Sequence, residues 1–558
     1  MIVGTYNFSL IIRHTVSMFL RRLRQSLFVF LTAVFMLPVL AVMASWLTLG
    51  GADTGARQIL AEMAQTVLPG YVATTALLVA SVGLGVVLVG LSCATAVTLF
   101  DFPGRRFFEW ALLLPLAMPA YVVAYAYTDF LQFSGPLQVA IRALTGWEGR
   151  VFPEVRNVAG AAWVFVFTLY PYVYVLARTA LGERATHLME TARLLGAPLK
   201  RRLWVIALPL ARPAVAAGTA LALMETLADF GVSSYFGIQS FTAGIYKAWL
   251  AMDNRLAAAQ LATVLLTCVA LLLFLERQAQ KKMRFAATRG ARSGSMEARA
   301  HVLRGRSLWL VWLLCAVPVL AGFVLPVGFM LRPLLADWGT LNWAPFLGWA
   351  WHSVRLGVIS AILAVLLALA LGFQWRSAPD NATRWAVQLV GLGYAVPGAV
   401  IVVGLLLPVG WVQEWLPQVG VGYLMTATLT GLVWAYLVRF TAVALQSVQS
   451  GYARIPASFD DSARMLGHSG WRLLQRVHWP LLKRSTTAAL LLVFVDVMKE
   501  LPATLVLRPF NSDTLAVVAY QLARDERLGE AALPSLALVL VGLIPVVLLS
   551  RTLRSPSR

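Results

Sequence analysis

Apolar runs of about 20 residues recur along the whole sequence, and each is long enough to cross a bilayer as a helix. No other feature restricts the fold as strongly. A backbone in lipid must satisfy its own hydrogen bonds, so the spans are expected to be helices. A membrane β-barrel would show segments of about 10 residues with alternating polarity. Runs such as "LALVLVGLIPVVLLS" do not alternate. Only 13% of residues are charged against 59% hydrophobic, whereas soluble domains carry about 25% charged residues.

Twelve spans are expected, at about 27–47, 69–99, 110–130, 159–178, 213–236 and 256–275, then 308–330, 352–373, 386–409, 422–443, 485–507 and 531–550. Arg13, Arg21, Arg22 and Arg24 precede the first run. That run is long for a signal peptide and lacks a clear cleavage site, so it is expected to be a retained span with a cytoplasmic N-terminus. Basic residues cluster where the chain leaves apolar runs, as in cytoplasmic loops. The net charge of +21 therefore does not point to nucleic acid. Segment 276–307 holds nine Lys or Arg and two Glu, which suits a flexible cytoplasmic linker. Loop 331–350 carries few charges, Asp337 among them, and suits the outer side. The basic tail "RTLRSPSR" suits a cytoplasmic C-terminus. The reading divides the chain into a first six-helix domain at 1–280, a basic linker at 281–307 and a second six-helix domain at 308–558.

Two polar interruptions carry the same pattern. "ETARLLGAPLKRRLWVIALPL" begins at Glu190, and "DSARMLGHSGWRLLQRVHWPL" begins at Asp461. A shift of 271 residues, from 190 to 461, aligns Ala192 with Ala463, Gly196 with Gly467, Leu203 with Leu474 and Pro209 with Pro480. It also sets Glu190 on Asp461 and Arg212 on Lys483, preserving charge. Each copy falls between the fourth and fifth spans of its half. The chain thus reads as two parallel six-span units, related by a pseudo-two-fold axis along the membrane normal.

Each copy is expected to form a short amphipathic helix. The first runs from about Glu183 to Leu195 with Leu188, Ala192 and Leu195 on one face, and Gly196 stops it. A second short helix is expected from about Leu199 to Ile206, with Pro209 constraining the start of the next span. The later copy starts at Pro456, carries Phe459, Ala463 and Leu466, and stops at Gly467. Two such knobs on one side could dock into two similar clefts of a partner. An interfacial helix lying on lipid is the alternative.

These paired stretches resemble the EAA loop of the inner-membrane permeases of binding-protein-dependent ABC importers. In that loop a Glu-Ala-Ala triplet precedes a Gly and a later Leu-Pro pair. Here Glu190, Thr191 and Ala192 are followed by Gly196, Leu208 and Pro209. The second copy departs, with Asp461, Ser462 and Ala463 for the triplet, then Gly467, Trp479 and Pro480. "LPLAMPAYVVAYAY" and "YAVPGAVIVVGLL" look like paired third-span segments. "LADFGVSSYFGIQSFTAGIYKAW" and "KELPATLVLRPF" look like fused two-domain permeases for ferric iron. Related fused or unfused permeases carry thiamine, phosphonate or polyamines.

The resemblance implies an all-α polytopic protein of the type I importer permease (MetI-like) fold. It implies two copies of a cytoplasmic ABC ATPase at loops 183–209 and 454–480, and a periplasmic solute-binding protein on the other side. It places the chain in a bacterial inner membrane. ATP and Mg²⁺ would belong to the ATPase partners, and the chain itself needs no cofactor. No G-x-x-x-x-G-K-[ST] motif occurs in it. The chain is therefore expected to be a permease rather than an enzyme. A twelve-span secondary carrier is the reading from another class; it would need neither the matched loops nor an ATPase.

Acids recur inside the fifth and eleventh spans. Glu225 and Asp229 are expected about 18 Å and 24 Å into the membrane, four residues apart on one helix face. Asp496 and Glu500 follow at the same 271-residue shift, with Lys499 between them. Ionisable groups at such depth are costly and usually face an interior or aqueous path. They either line a route for a hard cation such as ferric iron or pair to position the spans. Lys499 could pair with Asp496 at i,i+3. Pro115, Pro119 and Pro397 could bend helices near a gate, or simply be tolerated. The tyrosines at 121, 125, 127, 170, 172 and 174 read as packing and anchoring residues. Cys93, Cys268 and Cys315 read as small apolar residues, and His187 and His478 have no metal-ligand pattern around them.

Overall fold

The computed structural model describes residues 26–47, 61–182, 186–290, 301–303, 305–336, 338–377 and 380–553. The expected N-terminal placement and part of the basic linker, residues 291–300 and 304, lie outside them. Among the described residues the fold is helical apart from one two-residue parallel ladder, Phe100–Asp101 with His301–Val302.

Among the described residues ten helices are long and apolar enough to span a membrane, or eleven if one bent pair counts as a span. That pair is Arg105–Ala117 with Ala120–Thr145, bent by 90°, and it replaces the expected straight span at 110–130. Pro115 and Pro119 lie at the bend, where a ring without an N–H removes helical hydrogen bonds. The expected span at 485–507 is the helix Trp479–Lys499 followed by Pro502–Leu507. Lys483, Arg484, Asp496 and Lys499 make it too charged to join the apolar set, so the count is ten or eleven rather than twelve.

Contacts divide the chain into two units, and neither is a single run of sequence. The smaller takes its described residues from 1–44 and 355–497, the larger from 45–354 and 498–558. In the smaller unit Gly404 lies directly on the backbone of Pro38, leaving no room for a Cβ. In the larger unit Gly90 and Gly218 both abut Val173, so Leu68–Leu99, Val158–Ala180 and Leu208–Ala228 approach closely. Small residues permit such contacts where lipid supplies no hydrophobic drive for helix association.

Three buried tyrosines of the larger unit bond carbonyls at irregular turns, two of them beside the bend. Tyr170 and Tyr174 donate to the carbonyls of Leu112 and Glu109, each at 3.0 Å, and Tyr127 donates to Ala321 at 2.8 Å. Carbonyls near a broken helix lack intrahelical donors, and inside a membrane unit a largely apolar phenol can supply one.

The 271-residue repeat extends to backbone detail. Helix Leu208–Ala228 corresponds to Trp479–Lys499, and the short helix Gly231–Tyr235 to Pro502–Leu507. Before each long helix lies one widened turn, Leu203–Ala207 and Leu474–His478. In these turns the N–H of Leu208 reaches the carbonyl of Leu203, and that of Trp479 reaches Leu474. Pro209 and Pro480 follow immediately. A proline ring crowds the carbonyl four residues back, and a widened i→i+5 turn relieves that crowding without ending the helix.

Candidate coupling loops and intramembrane acids

The first loop holds the helix Thr186–Leu194; residues 183–185 of the expected helix lie outside the described residues. Gly196 ends it at φ +78°, with its own N–H on the carbonyl of Arg193 at 3.0 Å and the N–H of Ala197 on Ala192 at 2.9 Å. The second loop holds Ala457–Met465. Gly467 ends it at φ +79°, with its N–H on Arg464 at 3.0 Å and that of His468 on Ala463 at 2.9 Å. Both are left-handed glycine caps with the same paired bonds. Ala192 and Ala463 accept equivalent bonds, so these aligned residues share one structural position.

The expected separate helix at Leu199–Ile206 does not exist as such. Leu199–Arg202 runs through the widened turn into Leu208–Ala228 as one 30-residue rod. Each arm is therefore a short helix, a glycine corner and a long helix entering the membrane. Pro209 and Pro480 sit within those rods rather than at separate joints.

The arm tips are apolar and bare. Leu194 and Leu195 are 84% and 82% exposed, and their counterparts Met465 and Leu466 are 90% and 77% exposed. Leu195 and Leu466, expected on the apolar face of each short helix, lie outward at the glycine corner. Glu190 and Ala192 are half-buried and Thr191 is exposed, while Asp461 and Ser462 are exposed and Ala463 is buried. Asp461 pairs with Arg464 at 3.6 Å.

Beneath the second arm lies a group that sequence reading did not identify. Asp460 is buried and accepts from Nε of Arg376 at 2.8 Å, and its other oxygen lies 3.1 Å from Nε2 of His478. Nδ1 of His478 is 3.2 Å from the Tyr452 hydroxyl. Burial raises the pKa of the Asp460 carboxyl, but the hydrogen bonds and charges of Arg376 and His478 outweigh burial and hold it below the usual value.

The acids inside the spans do something other than share a helix face. The fifth span stops at Ala228, so Asp229 lies beyond its end, separated from the helix that carries Glu225. Oδ1 of Asp229 accepts the Val232 N–H at 2.8 Å and caps the next short helix. Glu500 repeats this after Lys499, accepting from the N–H groups of Ala503 at 2.8 Å and Thr504 at 3.0 Å and from the Thr504 hydroxyl at 2.6 Å. Glu500 is buried, whereas Glu225 and Asp496 are half-buried on the long helices. The ammonium of Lys499 donates to the carbonyl of Leu116 at 3.1 Å, within the bend between Arg105–Ala117 and Ala120–Thr145. Among the described residues no group of three or more His, Cys, Asp or Glu could hold a metal ion.

Residues 86–285 match the family described as binding-protein-dependent transport system inner membrane component. The match covers the first arm, its glycine corner and the capped break at Asp229. That segment is similar to the permease domain of this importer family. It is 24% identical over 487 residues to the Fe(3+)-transport system permease protein FbpB 2 of Haemophilus influenzae, covering 86% of this chain and 88% of that one. It is 23% identical over 513 residues to an ABC transporter permease protein, y4fN, of Sinorhizobium fredii, covering 86% of each. A shorter match joins it to PhnV of Salmonella typhimurium, a permease protein named for 2-aminoethylphosphonate transport, at 27% over 228 residues, 41% of this chain and 81% of that one. Permeases of this family are multi-pass inner-membrane components working with solute-binding and ATPase partners. The apolar spans found among the described residues fit a multi-pass membrane component.

Proposed function

We propose that this permease forms the membrane path of an ATP-driven importer for ferric iron. The observation that carries the coupling role is the pair of arms with one corner geometry and bare apolar tips at matched positions. Contiguous exposed apolar side chains mark surfaces that a partner covers. Two like tips suit two like clefts, so each arm receives one copy of an ABC ATPase, which holds the ATP and Mg²⁺. Glu190, Thr191, Ala192, Gly196 and Pro209 form the first coupling site. Asp461, Ser462, Ala463, Gly467 and Pro480 form the second. Both arms lie on the cytoplasmic side with the two termini, and the basic linker 281–307 joins two six-helix halves there. A periplasmic solute-binding protein delivers solute from the other side.

Iron as the solute is supported by the similarity, over 86% of this chain, to a permease named for Fe(3+) transport. Glu225, Asp229, Asp496, Lys499 and Glu500 are the candidate path residues. The carboxylates of Asp229 and Glu500 already accept helix N–H groups, so their contact with a passing cation would be transient, as a transport path requires. The test is uptake by the complex reconstituted with its binding protein, with ferric iron and thiamine in competition. Ferric iron should be taken up in an ATP-dependent manner. Preferential thiamine uptake would overturn the iron assignment, and uptake driven by an ion gradient without ATP would overturn the importer assignment.

A further inference from the structure

Among the described residues, the carboxylate and the imidazole of the buried cluster beneath the second arm have no counterpart in the first. At the 271-residue shift, Asp460, His478 and Tyr452 correspond to Met189, Ala207 and Leu181, all buried and apolar. The second arm is thus joined by directional, charge-assisted bonds to the ends of two membrane helices. Arg376 comes from the end of Trp343–Ser377 and also donates to the carbonyl of Ile455 at 3.0 Å. Tyr452 closes Thr430–Tyr452. His478 is the last residue of the widened turn, fully buried, with its ring edge-on to Phe373 and Tyr452 at centroid distances of 5.6 Å and 5.2 Å. The Asp460–His478 bond therefore crosses the one irregular turn between arm and membrane rod. Flexing that turn would separate the two groups, leaving Asp460 with one fewer partner in a buried place. In the first arm Ala207 stands at that position and can make no such bond. There Met189 packs by its apolar side chain, and a 3.5 Å bond from Arg202 reaches its carbonyl.

We propose that Asp460, fastened by Arg376 and His478, is a positioning residue that locks the second arm to its membrane helices. The second arm then passes a partner's movement into the membrane stiffly, and the first, with Met189 and Ala207 at the aligned positions, yields. The inference rests on the coupling role proposed above, but its structural half can be read without transport.

The test uses the full chain in lipid nanodiscs. Hydrogen exchange is followed at residues 457–466 and 186–196 in the wild type, in Asp460→Asn and in Asp460→Glu. In Asp460→Asn, exchange at 457–466 should quicken at least about tenfold with 186–196 unchanged, and Asp460→Glu should recover part of the protection. With the co-purifying ATPase and binding protein, ferric iron moved per ATP hydrolysed should fall at least about fivefold in Asp460→Asn. A purely structural residue would lower the yield of complex without lowering that ratio. Should Asp460→Asn fold poorly, the double variant Asp460→Met with His478→Ala carries the first arm's own residues and should exchange as the first arm does. Wild-type exchange at 457–466 in either variant, or an unchanged ratio in Asp460→Asn, overturns the lock. A wild-type complex that moves no ferric iron overturns the solute assignment instead, and the exchange contrast still decides the lock's structural half.

Discussion

The two arms share a backbone and differ in what lies beneath it. Both end in a glycine at nearly the same φ, both follow with one widened turn and a proline, and both show bare apolar tips. Under the first lie Met189 and Ala207; under the second, a carboxylate, a guanidinium and an imidazole. Corner geometry is thus separable from anchoring. The corner sets what a partner meets, and the buried layer sets how firmly the arm is held.

The widest separation between the arms should come from removing each anchor. Asp460→Ala leaves Arg376 and His478 facing an empty place and should destabilise the second arm by about 3–5 kcal/mol, the usual cost of breaking one side of a buried ion pair. Met189→Ala removes apolar contacts on a short surface helix and should cost the first arm about 2 kcal/mol, the low end for such truncations. Local hydrogen exchange in each arm measures both. Equal losses would mean that the charged cluster anchors no better than one methionine.

Acid should sharpen the same contrast. The Asp460 carboxyl is held below its usual pKa, so its ionised form stabilises the fold. That contribution is complete above the unfolded value, about 3.9, and is lost as pH falls through the lower folded value. Protection of residues 457–466 should therefore persist from pH 7 to about 5 and fall below about 4. Residues 186–196, with Met189 in the equivalent place, should lack that step. In Asp460→Asn the step should vanish from the second arm. Its survival there would assign the titration to another group.

The arms themselves were readable from sequence because their corners use residue types with backbone consequences. A left-handed corner favours glycine and a rigid turn favours proline, so their repetition 271 residues apart carried the geometry. The anchor was not readable, since Arg376 lies 84 residues and His478 18 residues from Asp460, and only the fold brings them together. The alignment drew attention to the exposed Asp461, one position from the residue that matters structurally. Asp229 and Glu500 misled differently. Spacing from Glu225 and Asp496 fits one helix face, yet the same residue types also cap helices. Pro502, two residues after Glu500, is a fitting start for a new short helix and was the available clue.

The smallest expected effect should be alike in both arms, which makes it a control on the comparison. A Cβ at Gly196 or Gly467 would meet nothing within 4 Å, so alanine there suffers only from the positive φ. That strain costs about 1–2 kcal/mol for a residue with a side chain. Gly196→Ala and Gly467→Ala should therefore each loosen their own arm by that amount, to within a few tenths of a kcal/mol of one another. Exchange at Ala197 and His468, whose N–H groups close the two caps, reports the change. A much larger loss at Gly467 would tie the corner to the buried lock beneath it. A match between the two would leave the layer under Asp460 as the feature that distinguishes the arms.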